Sequence, residues 1–311
     1  MTSRICRMLF IALALGGLAA SCGGGNKTPT PAEQAAEDRE FSAQRRLARN
    51  AFENGQYQQA ITLYDRALTR AFARDDLPAI GDLGYESALA LLRQGHPDQA
   101  AKRASETAAE LTRRGQTPFP ALTLVEAAAL YAAGDAVGAA RAADMTRGDP
   151  RSDAATVARA NYLLGMIAAD KADRAGLDQA LATLGNPTDP SLRGDQQELF
   201  GRARLLASDP AAARTAFETA VELRRETKDL TGTARALAFA GQAAASNGKN
   251  AEAADLYLRA GRSAQSNNRA ADATRWLQSA AQLAQASGAN TVLAEARDRL
   301  ATLSAAEGSA R

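Results

Sequence analysis

The sequence predicts an all-α protein, an α-solenoid of about six to seven helical hairpins. Alanine, the residue with the highest helix propensity, supplies 76 of the 311 residues. Aromatic residues make up only 5%, which argues against a β-sandwich or barrel rich in branched and aromatic side chains. Helix-period segments are also interrupted by a break about every 40 residues, and such a period is typical of stacked repeats.

Five of these breaks are centred on glycine and two weaker ones are not. In chain order they are Gly55, Gly95, Gly134, Ala172, Ser208, Gly248 and Gly288, with spacings of 40, 39, 38, 36, 40 and 40 residues. Glycine tolerates the positive φ that ends a helix before a tight turn. A pair of helices cannot bury its own apolar faces, so each hairpin requires neighbours.

The first, fifth and sixth hairpins resemble the tetratricopeptide repeat (TPR). That pattern places a small residue in the first helix, glycine in the turn, and a small–aromatic–small series in the second helix. The matching residues are Ala48, Gly55, Tyr57, Ala60, Tyr64 and Ala67; Gly201, Ala213, Phe217 and Ala220; and Gly241, Gly248, Ala253, Tyr257 and Ala260. The resemblance covers about residues 40–303 and implies a right-handed superhelix that binds other proteins.

The N-terminus has the pattern of an export signal. Arg4 and Arg7 precede 13 apolar residues, 8–20, too few for a membrane-spanning helix of ~20 residues. The following Leu-Ala-Ala-Ser-Cys, ending at Cys22, resembles a bacterial lipobox, which implies cleavage before Cys22 and acylation of that residue. An ordinary secretory signal cut near Ala20, leaving a soluble periplasmic protein, is the alternative.

The resemblance implies a cell-envelope lipoprotein that faces the periplasm. In enterobacterial lipoproteins a residue other than Asp after the acylated cysteine favours the outer membrane, and Gly23 stands there.

These features predict four segments along the chain. Residues 1–21 form a lipoprotein signal peptide, 22–37 a flexible tether, 38–304 the solenoid and 305–311 a disordered tail. A stretch rich in Gly, Pro and Asp at 185–194 either divides the solenoid or forms a surface loop within it.

The residue inventory argues against several classes of function. The net charge of +2 falls to zero when Arg4 and Arg7 leave with the signal, so no excess positive charge drives nucleic-acid binding. One histidine and two cysteines exclude a multi-His or multi-Cys metal site. His96 stands in a repeat turn, where we expect a solvated structural residue. We predict no enzyme activity, no cofactor and no metal.

The remaining candidate site is the concave face lined by the first helix of each hairpin. The residues expected there are Arg45, Arg49, Phe52, Tyr85, Leu89, Leu92, Leu124, Tyr131, Tyr162 and Met166. A polar end is expected from Arg235, Gln242, Gln278, Gln282 and Gln285. This pattern of a basic entrance, an apolar middle and a polar end suits an extended segment or helix of a partner. Alternatively, several of these side chains belong to the core between helices.

The leading hypothesis is a lipid-anchored scaffold that binds other envelope proteins or peptides during assembly of an envelope complex. The membrane would be contacted through the acyl group on Cys22. One alternative is an envelope receptor that encloses a small molecule or lipid. Another is a cell-wall hydrolase, which would need two inward-facing carboxylates ~5–9 Å apart.

Overall fold

The computed structural model describes residues 31–309, with side chains from 39 to 306, and this part of the chain is helical throughout apart from its turns. Its helices are α1 (Pro31–Glu53), α2 (Tyr57–Ala73), α3 (Leu77–Gln94), α4 (Pro97–Arg113), α5 (Pro120–Ala132), α6 (Ala136–Gly148), α7 (Ala154–Asp170), α8 (Arg174–Leu184), α9 (Pro190–Leu206), α10 (Pro210–Glu226), α11 (Leu230–Ser246), α12 (Asn250–Ser266), α13 (Ala270–Ser287) and α14 (Asn290–Ser309). The all-α prediction is confirmed. The predicted signal peptide and Cys22 lie outside the described residues.

The chain divides into two compact units, residues 1–40 and 41–311. In the first unit, the described residues 31–40 belong to α1. The second unit contains the rest of the helices, and in it residues 185–189 connect α8 to α9.

Two predicted boundaries differ from the structure. Helix α1 begins at Pro31, inside the predicted tether, and α14 continues to Ser309, inside the predicted tail. Proline suits the first turn of a helix, and the Ala-, Glu- and Gln-rich residues after Pro31 are good helix formers. The same propensity extends α14 through the alanines near its end.

Consecutive helices pair into seven hairpins within the described residues, numbered here 1 to 7 from α1/α2 to α13/α14. All seven predicted breaks fall in the turns inside these hairpins, and each has a positive φ. Ala172 and Ser208 adopt φ values of 55° and 58° although they carry a Cβ. The repeat pattern is therefore confirmed even where the sequence lacks glycine.

Aspartates begin half of these helices. Each accepts a hydrogen bond from the backbone N–H three residues later, which satisfies a donor that the helix leaves free. They are Asp76, Asp135, Asp153, Asp173, Asp189, Asp209 and Asp229.

Small residues are buried where helices cross, and large side chains fill the remaining volume. Ala48, Ala60 and Ala67 have no exposed surface. At Gly201, an added Cβ would lie 2.5 Å from the ring of Phe217, closer than packed carbon atoms approach. The small and aromatic positions of the repeat pattern thus bring neighbouring helices close together.

Candidate partner-binding groove

The side of the first helices on which the sequence predicts the ten groove residues is here called the groove face, and nine of the ten are at least partly exposed. The tenth, Met166, is 2% exposed and packs in the core with Leu177 and Leu199. Its assignment to the groove is wrong. The helical period around Met166 does not by itself show which face of the helix the next hairpin covers. In the structure, α9 packs on the face that carries Met166.

The predicted basic entrance is neutralised by acidic side chains of hairpin 2. Arg45 Nη2 lies 3.2 Å from Asp82 Oδ2, and Arg49 Nη2 lies 2.5 Å from Glu86 Oε1. Both pairs join α1 to α3 across 37 residues of sequence. The entrance consequently presents ion pairs rather than uncompensated positive charge.

Three tyrosines, Tyr85, Tyr131 and Tyr162, contribute aromatic surface to the middle of the groove face. Tyr85 packs edge-on against Phe119 with 5.7 Å between the ring centroids. Tyr131 Oη donates to Asp170 Oδ2 at 2.6 Å. Burial raises the pKa of Tyr85 and, together with the hydrogen bond to Asp170, that of Tyr131. Both phenols therefore remain neutral at physiological pH.

Two charged residues of α9 were absent from the sequence-based prediction: Arg202, which is partly exposed, and the buried Glu198, which accepts the Tyr162 hydroxyl. Glu198 and Arg202 of α9 stand ten and six residues before the break at Ser208. Arg45 and Arg49 stand at the same distances before Gly55. Applying these offsets to hairpin 5 would have found Glu198 and Arg202.

Glu198 is the centre of a buried ion network formed by Asp195, Glu198, Arg224, Asp229 and Arg235. It has no exposed surface and accepts from Arg224 Nε at 3.0 Å and Arg235 Nε at 2.9 Å. Arg224 also lies 2.5 Å from Asp195 and 3.3 Å from Asp229. Burial raises the pKa of Glu198, but Arg235 and Arg224 outweigh it and hold that pKa below its usual range.

This network reaches the groove face at Tyr162. The Tyr162 hydroxyl donates to Glu198 Oε2 at 2.6 Å, and the Arg235 guanidinium lies 6.0 Å from the centroid of its ring. Burial raises the pKa of Tyr162 well above its usual value. Hairpins 4, 5 and 6 are thereby joined at one point of the groove face.

Arg202 supplies a second link between these hairpins. It forms an ion pair with Asp170, and its guanidinium lies 4.9 Å from the centroid of the Phe239 ring. Phe239 in turn stacks on Phe217 at 5.3 Å. The middle of the groove face therefore combines aromatic rings with arginines whose charge is compensated, rather than a purely apolar strip.

The far part of the groove face is polar. Arg235 belongs to the buried ion network, whereas Gln242, Gln278, Gln282 and Gln285 are exposed. Gln285 accepts a hydrogen bond from Arg297 at 3.2 Å. These amides can donate to and accept from a bound backbone.

His96 lies away from the groove chemistry. It is exposed and stands at the N-cap of α4 without a side-chain capping bond. Among residues 31–309, no three His, Cys, Asp or Glu side chains are arranged to hold a metal ion. No helix in the same range combines the length and apolarity needed to cross a membrane.

Comparison with known proteins gives a fold but no family. No family model matches the chain, and no curated protein matches it. Among solved structures, a Rap protein complexed with Competence and Sporulation Factor is 13% identical, with a TM-score of 0.60 over 86% of this chain and 77% of the other.

Two further structures are similar to the same extent. The Rap conjugation gene regulator of plasmid pLS20, in complex with the Phr* peptide, is 13% identical, with a TM-score of 0.61 over 92% of this chain and 80% of the other. The apo form of the quorum sensor NprR from B. thuringiensis is 12% identical, with a TM-score of 0.54 over 89% and 87%. Likeness at these identities concerns the fold alone: the chain is an α-solenoid of TPR-like hairpins.

Proposed function

We propose that this protein is a non-catalytic scaffold that binds an extended segment of another cell-envelope protein on its groove face. The observation that carries this proposal is that the first helices of three successive hairpins each leave a tyrosine partly exposed: Tyr85, Tyr131 and Tyr162. Aromatic rings with polar tips are the side chains most often enriched at protein interfaces. The exposed glutamines beyond them would bond the backbone of the segment.

The solved structures support this kind of occupant. Two of the solenoids similar in fold are described in complexes: the Rap protein with Competence and Sporulation Factor, and the pLS20 regulator with the Phr* peptide. A solenoid face suits a segment in extended or helical form, since the first helices present side chains at a regular spacing. The compensated charges predict a partner segment that is polar or aromatic rather than strongly charged.

The groove is tested by site-specific photocrosslinking in intact envelopes. A benzoylphenylalanine placed at Tyr85 or Tyr131 is expected to capture a discrete protein partner. The matched controls are Val137 and Met145, which are 74% and 63% exposed on α6, a second helix of its hairpin. Adducts of equal yield at all four positions, or none at the tyrosines across growth conditions, would contradict the proposal.

We further propose that the scaffold is held at the envelope, facing the periplasm, by acyl chains on Cys22, with the outer membrane as its site. Two or three acyl chains anchor a protein stably where one binds only marginally. Metabolic labelling with an alkyne palmitate analogue should mark the wild-type chain and the Cys6→Ser control. It should not mark Cys22→Ser. Palmitate label that persists in Cys22→Ser, or that is missing from the wild-type chain, would contradict an acyl anchor at Cys22.

A further inference from the structure

Hairpin 2 touches hairpins 6 and 7, although three hairpins separate hairpin 2 from hairpin 6 in the chain. Arg93 Nη1 at the end of α3 lies 3.2 Å from Asp229 Oδ1, a residue 136 positions away. Arg269 Nη1 donates to the backbone carbonyl of Leu92 at 3.0 Å across 177 positions. These four residues, Leu92, Arg93, Asp229 and Arg269, are here called the closure contact. They bring an early hairpin of the solenoid back against the late ones.

Complementary helix ends meet at the closure contact. The last carbonyls of α3 carry partial negative charge, and one of them, Leu92 O, receives the Arg269 guanidinium. Asp229 and Arg269 stand at the N-caps of α11 and α13, whose ends carry partial positive charge. Asp272 Oδ2 holds Arg269 Nη2 at 2.8 Å. Across the contact, opposite signs therefore face each other: Arg93 faces Asp229, and Arg269 faces the carbonyl end of α3.

The closure contact is continuous with the groove face. Asp229 bonds Arg224 of the buried ion network, and Glu198 of that network accepts the Tyr162 hydroxyl. Burial raises the pKa of Asp229, but Arg93 and Arg224 hold it below its usual range. Loss of Arg93 thus removes one of the cations that Asp229 faces, and Asp229 is linked to Tyr162 of the groove face through Arg224 and Glu198.

The contact is made by side chains that water can reach. The Arg93 side chain is 41% exposed and that of Asp229 is 20% exposed, whereas extended helix-on-helix packing joins neighbouring hairpins. Regions held by few and solvent-accessible contacts open more readily than the core around them.

We propose that the closure contact is a latch that holds the solenoid closed around its groove face. Its release gives a partner segment access to Tyr131 and Tyr162. The latch stands on the geometry alone, and only the nature of the entering segment rests on the proposed function.

The latch is tested without any partner, by distances between spin labels. Labels are placed on His96→Cys and Ala271→Cys, both at exposed positions beside the contact, in the full chain carrying Cys6→Ser and Cys22→Ser. Double electron–electron resonance should give one short distance. With Arg93→Gln and Arg269→Gln added, the distance should lengthen and its distribution broaden. Arg204→Gln with Arg225→Gln, two exposed arginines elsewhere, is the matched control and should leave it unchanged.

Chemical access to the groove gives a second readout. Nitration by tetranitromethane, located by mass spectrometry, should rise several-fold at Tyr162 in the Arg93→Gln, Arg269→Gln variant relative to the internal reference Tyr57. An unchanged distance and unchanged nitration in a helical variant would overturn the latch. If that variant loses its helical circular dichroism signal, the spin-labelled chain that keeps Arg93 and Arg269 is titrated with NaCl instead. At 1 M NaCl the Debye length is ~3 Å. A distance between the spin labels that does not change with salt would also overturn the latch. Neither result affects the crosslinking experiment.

Discussion

At the scale of single residues, the turns inside the hairpins show how the chain tolerates imperfect repeats. Five turns use glycine, while Ala172 and Ser208 adopt the same left-handed backbone. That conformation costs a residue with a Cβ roughly 1–2 kcal/mol. The packing of the hairpins on either side must therefore outweigh the local preference.

Replacing Ala172 by glycine should stabilise the protein. The variant relieves the backbone strain of a φ of 55°. The greater conformational freedom of glycine in the unfolded chain offsets part of this stabilisation. We expect the free energy of unfolding to rise by about 0.5–1 kcal/mol, measured as a higher midpoint in urea. The control Ala182→Gly, exposed within α8, should lower the midpoint. A lower midpoint for both variants would show that the turn carries no strain.

At the scale of helices, ion pairs between hairpins add to the apolar contacts. Glu295 of α14 accepts from Arg262 Nε of α12 at 2.6 Å and from Arg299 Nε at 2.7 Å. The hydrogen bonds from Arg262 and then Arg299 lower the pKa of Glu295 to about 2. This carboxylate helps to dock the last helix onto hairpin 6.

The docking of α14 should therefore weaken in acid. A depressed pKa means that the stabilisation from Glu295 is fully present above the ordinary value of 4.5, and is lost as the pH falls from there towards 2. Glu295→Gln should lower the melting temperature at pH 7, and the gap to wild type should narrow as the pH falls from 4.5 to 2. The control Glu222→Gln alters a pair within α10 and should produce little change. A gap that stays constant with pH would contradict this role.

At the scale of the whole molecule, curvature brings together residues that no local pattern relates. Arg93 and Asp229 meet because the small rotations between successive hairpins accumulate over three intervening hairpins. The buried ion network then joins the middle hairpins to this contact through Arg224. The salt dependence expected of the latch is a property of the whole superhelix, since no single hairpin contains both of its sides.

The sequence by itself predicted the helices and the seven breaks, because helix periodicity and turn conformation depend on neighbouring residues. It also predicted that Tyr85, Tyr131 and Tyr162 lie on one face. Only the tertiary structure put Met166 in the core. It alone paired Arg45 and Arg49 with acids 37 residues away and gathered the buried ion network. These outcomes depend on which hairpin covers which face and on how rotation accumulates along the solenoid. The helical period of the sequence determines neither.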